Sequence, residues 1–148
     1  MAQNTGTETW RGPRYPDNSP NPHPIALSYR LYSPDGLCLA NCDGSQREVL
    51  FGRTTVQPGE STTLVPTLHL PSDFASPHHY VIRWDMVQLT VSAEVMAQAA
   101  GLDDEEWTAL VESTAAVNFW FSEQSPAWFT QDVAVHKCYI PLAVRNHT

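Results

Sequence analysis

The sequence predicts a mainly β domain, an antiparallel sandwich or barrel carrying a short two-helix insertion, with α+β as the alternative class. Three observations lead there. Apolar and polar residues alternate in several short runs, as in 27–31 and 80–87. Turn-forming residues separate those runs at intervals of roughly eight to twelve residues, the rhythm of a sandwich or barrel. Only the stretch 92–112 changes to helical spacing.

Residues 1–24 stand apart from this pattern. They hold Pro13, Pro16, Pro20, Pro22 and Pro24 among Gly, Asn, Asp and Thr, with Trp10 and Tyr15 as the large apolar groups. Such a composition buries too little surface to offset ordering entropy, so the segment reads as a disordered arm before a single domain, 25–148.

In that domain Leu27, Tyr29 and Leu31 alternate with Ser28, Arg30 and Tyr32 as a half-buried strand. Ser33-Pro34-Asp35-Gly36 supplies a turn, and 37–40 returns as the hairpin partner. Asp43-Gly44-Ser45 turns again before a short strand at 49–51. Pro58-Gly59 fits the centre of a type II turn, and 62–70 follows as a strand that Pro66 confines to an edge or a bulge. The longest strand is 80–89. Tyr80, Ile82, Trp84 and Met86 form one of its faces, and Val81, Arg83, Asp85 and Val87 the other.

Ser92 then caps a helix over 93–100, closed by Gly101. Asp103 and Glu106 form a capping-box pair for a second helix, striped by Trp107, Leu110 and Val111. Val117, Phe119 and Phe121 resume a strand pattern, and 132–144 reads as the last strand.

Composition narrows the function classes. The chain has 148 residues, 42% of them hydrophobic, enough for one core. Its net charge of −8 and single lysine, Lys137, argue against nucleic acid, and four consecutive acids, Asp103 to Glu106, argue against a recognition helix. No apolar run approaches the roughly 20 residues of a membrane span, and no basic-then-apolar leader is present, so a cytoplasmic protein without membrane contact is expected. The odd cysteine count agrees. Cys38 and Cys42, about 13 Å apart if extended, read as idle thiols unless a turn at Asn41 brings them together. No metal set and no cofactor fingerprint is apparent.

Two clusters carry possible chemistry. His69, Asp73, His78 and His79 gather around one loop, where imidazoles and a carboxylate suit acid–base work. Neighbouring strand residues, however, point to opposite faces, which separates His78 from His79. Arg83 and Asp85 share a face between Val81 and Val87, and read as a half-exposed salt bridge or as the floor of a cavity that His136 would join. On the first reading Asp85→Ala costs under about 1 kcal/mol. Trp120, Trp128 and Phe129 are candidate binding aromatics. The arm, the acidic surface and these aromatics point to a non-enzymatic protein-binding or self-assembling module. The competing expectation is a cofactor-independent enzyme of isomerase, cyclase or hydrolase type, or a ligand-binding barrel with an aromatic-lined pocket for a small molecule, using Arg83, Asp85 and His136.

Overall fold

Two short strands, β1 (Ala2–Gln3) and β2 (Trp10–Arg11), precede the main sheet. The computed structural model describes residues 1–69, 78–124 and 129–135, and for residue 78 and residues 129–135 it describes the backbone alone. The alternating run becomes β3 (Ile25–Tyr32), followed by β4 (Cys38–Ala40) and β5 (Arg47–Val49), both antiparallel to β3. Between β3 and β4 the expected turn forms, with Gly36 N–H donating to the Ser33 carbonyl at 3.0 Å. Strands β6 (Thr55–Val56) and β7 (Ser61–Thr62) flank the turn at Gly59, whose φ of 90° is the left-handed conformation a type II turn requires. They pair with β2 and β1 respectively.

The strand expected over 62–70 is present only as Ser61–Thr62. Residues 63–69 join no ladder, as Pro66 has no N–H to offer one, and residue 70 lies outside the described residues. The long strand is β8 (His78–Thr90). It pairs with β3 along one edge, Ser28 opposite Asp85, Arg30 opposite Arg83 and Tyr32 opposite Val81.

The N-caps of the helical insertion form as expected, but its first helix ends at Met96, and Gly101, expected to close it, falls in a 3-10 turn without the left-handed φ of a C-cap glycine. Ser92 accepts from Val95 N–H at the start of α1 (Ala93–Met96), a 3-10 turn spans Ala99–Gly101, and α2 (Asp104–Thr114) opens on the reciprocal Asp103–Glu106 capping box. Strand β9 (Ala116–Trp120) returns to β8. Phe121, expected to continue that strand, instead opens α3 (Phe121–Gln124), and β10 (Phe129–Val135) pairs with the other end of β8. The last strand was expected from residue 132; residues 136–148 lie outside the described residues. Strand outweighs helix, 36% to 19%, and the antiparallel sheet curls into half a barrel, which settles the class as mainly β.

Two faces result. On one, Ala26, Val87 and Trp120 pack against Trp107 and Val111 of α2. On the other, Ile25 and Met86 pack with Trp10, Leu50 and Val56. Further along that second face, Tyr29, Leu31, Tyr80 and Ile82 form a third cluster.

Residues 1–24 are a correction, for they form a wall rather than a disordered arm. Trp10, Asn4, Arg14 and Asn21 are buried, and the Trp107 indole N–H donates to the Pro13 carbonyl at 2.9 Å. Arg14 gives Nη2 to the carbonyls of Ala99 and Leu102, at 2.7 and 2.9 Å, and its Nε lies 3.1 Å from Asp104. The prolines explain the difference: each fixes its own φ, so ordering this segment costs less than composition suggests.

Cys38 and Cys42 are a second correction. Asn41, at φ 55°, folds the chain between them, and the two are joined as a disulfide with Cα atoms 6.1 Å apart. No helix among the described residues is long and apolar enough to cross a membrane.

Candidate functional site

On the edge of β8 away from β3, β10 pairs as far as Trp84 and β9 resumes at Val87. Residues 85 and 86 therefore have no strand partner on that side among the described residues. Helix α3 crosses the gap. There Ser122 gives both its backbone N–H and its hydroxyl to Oδ2 of Asp85, at 3.1 and 2.6 Å. Asp85 is 6% exposed, and its Oδ1 is buried without a hydrogen-bond partner. Burial pushes its pKa above the ordinary carboxylate value, against the lowering effect of Ser122, of the Met86 backbone N–H and of the Arg30 charge.

The half-exposed Arg83–Asp85 salt bridge is thus corrected. The two share a face and a small pocket, but Asp85 is buried and makes no ion pair among the described residues. The same pocket, about 80 Å³, is bordered by Arg30, Tyr32, Trp120 and Ser122. The Arg30 guanidinium lies 3.7 Å from the centre of the Trp120 ring, and that of Arg83 lies 4.3 Å from Tyr32. Trp120 is itself fixed from behind. A Cβ on Gly44 would come within 2.8 Å of its ring, so only glycine fits there, and the φ of 72° asks for glycine as well.

The opposite face carries a larger cleft of about 470 Å³. Its walls are Trp10, Leu27, Trp84, Met86, Phe119 and Phe121, closed on one side by residues 1–9. Register explains the set: Leu27 lies opposite Met86, and Phe119 opposite Gln88. Asp85 borders both spaces, because its strand position lies between Trp84 and Met86. The aromatic walls and the Arg83–Asp85 pocket therefore occupy opposite faces, where the sequence reading had put them in one cavity.

Of the loop cluster, the structure describes the side chains of His69 and His79. His69 is exposed, its backbone N–H donating to the Tyr29 hydroxyl at 2.9 Å. It borders a polar groove of about 310 Å³ with Glu48 and Glu112. His79 is exposed as well. Asp73, Trp128 and His136 lie outside the described residues, as do the side chains of His78 and Phe129. Among the described residues no three metal-ligating side chains come together. Sequence reasoning missed Arg30, Tyr32 and Ser122. The signal for the first two was available, since Ser28-Arg30-Tyr32 and Arg83-Asp85 become neighbours once the two strands pair. No family model, curated protein or solved structure matches the chain.

Proposed function

We propose that the chain binds a small, largely apolar organic molecule in the cleft between its N-terminal wall and the curled sheet. One observation carries the reading: a space of about 470 Å³ walled by Trp10, Trp84, Phe119 and Phe121 with Leu27 and Met86. Ligand pockets run to roughly 300–1,000 Å³ and are lined in this way, by aromatic and aliphatic side chains with few polar groups. Among the described residues, Gln88 and Gln124 supply neutral polar groups, Glu8 and Asp85 are the acidic residues at its border, and no arginine or lysine side chain lines it. A neutral or cationic ligand suits that lining better than an anion.

Calorimetric titration with indole, 2-naphthol and cyclohexanol tests the reading. Binding by at least one is expected, weakened about tenfold, or ~1.4 kcal/mol, when Phe119→Ala or Phe121→Ala removes a wall. No heat from any of the three up to its solubility limit would end the proposal.

A second reading, self-association, draws on a different observation. Among the described residues β4 pairs on one side only, and Leu37 and Leu39 beside its free edge are 65% and 37% exposed. An open edge with apolar side chains favours a second copy of the chain. Light scattering that gives a dimer for the native chain and a monomer for Leu37→Asp supports it, and a native monomer at millimolar concentration rejects it.

A further inference from the structure

The small pocket on the helix-bearing face has a different chemistry from the cleft. Arg30 and Arg83 stand directly opposite one another on β3 and β8. Both guanidinium groups are held in place by rings, Arg30 on Trp120 and Arg83 on Tyr32. Arg30 spends Nε on the Cys42 carbonyl at 3.2 Å, and its two terminal amino groups make no hydrogen bond or ion pair among the described residues. The carboxylate beside them does not pair with Arg30. Asp85 has Oδ2 engaged by Ser122 and Oδ1 buried without a partner.

We infer that this pocket binds a small oxyanion, a carboxylate or a phosphate group, between Arg30 and Asp85, with one proton taken up on binding. Arg30 donates to the anion from its oriented terminal amino groups, the geometry in which guanidinium recognises oxyanions best. The proton placed on Asp85 Oδ1 removes its repulsion and turns it into a second donor, which gives the orphaned oxygen a partner. Burial already favours that protonated form. Among the described residues, the charged and polar groups facing Asp85 are Arg30 and Tyr32 from β3, Arg83 and the Met86 N–H from β8, and Ser122 from α3. None of them titrates between mildly acidic and neutral pH. Phosphate takes up a proton of its own in this range, so the proton linked to Asp85 is read from acetate and from the difference between the native chain and Asp85→Asn. About 80 Å³ admits one such group and excludes the aromatic bodies expected in the cleft. The inference does not rest on the cleft reading: Arg30, Trp120 and Ser122 line only the small pocket, and Asp85 borders both spaces.

The test is titration of the full chain with acetate and with inorganic phosphate from mildly acidic to neutral pH. Saturable binding of at least one is expected, and for acetate the affinity falls about tenfold per pH unit above the Asp85 titration, the slope of one linked proton. Acetate alone binding identifies a carboxylate site, and phosphate alone a phosphate site. Arg30→Gln is expected to weaken binding at least tenfold, and Arg30→Lys, which keeps the charge without the flat stacked face, by less. Asp85→Asn keeps a donor but no titration, so acetate should bind it with a flat pH profile. Three results overturn the inference: neither oxyanion binding the native chain, full affinity in a folded Arg30→Gln, or an unchanged pH slope in Asp85→Asn.

Discussion

Asp85 is the residue at which burial and charge conflict. A carboxylate at 6% exposure with no ion pair among the described residues is an expensive group, and Ser122 offsets only part of the expense through Oδ2. The consequence for stability has a definite sign. Its pKa is raised in the folded chain, so between the ordinary carboxylate value and that raised value the folded state binds more protons than the unfolded one. Stability from this group is then fully present below the unfolded pKa and is lost as pH rises through the folded pKa. Asp85→Asn keeps the shape and removes the charge, and should stabilise the chain at neutral pH by roughly 1 kcal/mol. Glu112 is raised as well, by burial and by Glu48. The difference between native and Asp85→Asn urea midpoints isolates Asp85 from it. That difference should shrink as pH falls, and a variant less stable than the native chain at every pH would refute the account. The low cost expected for a surface salt bridge does not apply here, because what decides it is the gap between β9 and β10 that α3 fills.

Among the elements, those whose signal is local were legible. The capping box at Asp103 and Glu106 needs only two residues three apart, and it forms as read. The turns at Gly36 and Gly59 need a positive φ that glycine supplies, and both are present. Strand β8 shows its period over many residues. What failed depended on partners distant in sequence. Phe121 continues the alternation of Val117 and Phe119, yet it starts α3, whose Ser122 binds the Asp85 carboxylate. Cys38 and Cys42 are out of reach on one extended strand, and the left-handed Asn41 between them brings them together. Its side chain binds the Tyr29 and Gln46 carbonyls at 2.6 and 2.9 Å, bonds that no spacing rule reveals. The disulfide also removes the support that an odd cysteine count lent to a cytoplasmic setting, because disulfides persist where the surroundings are oxidising. For the candidate site, the face shared by Arg83 and Asp85 was readable from alternation alone. Arg30 entered only through the register of β3 on β8.

At the scale of the whole molecule the N-terminal segment decides whether the half-barrel is a stable object. A half-barrel leaves one concave face without a second sheet, and here residues 1–24 do much of the covering. Trp10 fills the cluster of Ile25, Leu50, Val56 and Met86, a burial worth about 3 kcal/mol for so large a side chain. Asn4 is fully buried, with its amide donating to the carbonyls of Glu8 and Val56 at 2.7 and 2.9 Å. On the other side Arg14 caps the carbonyls of Ala99 and Leu102 and pairs with Asp104, and Pro13 takes the Trp107 indole proton. Removing the segment leaves those groups buried without partners or newly exposed, at roughly 1–3 kcal/mol for each orphaned polar group. The sum exceeds the lower part of the 5–15 kcal/mol that holds a typical domain together. A chain beginning at Ile25 is therefore expected to lose its cooperative thermal transition and its near-ultraviolet aromatic signal. The change Arg14→Ala alone, which takes donors from the Asn18, Ala99 and Leu102 carbonyls (Ala99 keeping the Leu102 N–H) and a partner from Asp104, should lower stability by about 3 kcal/mol in a urea melt. The two measurements together distinguish a wall from a tether. If the truncated chain melts cooperatively near the native midpoint, the N-terminal wall is dispensable, and the cleft it closes would be an open sheet face.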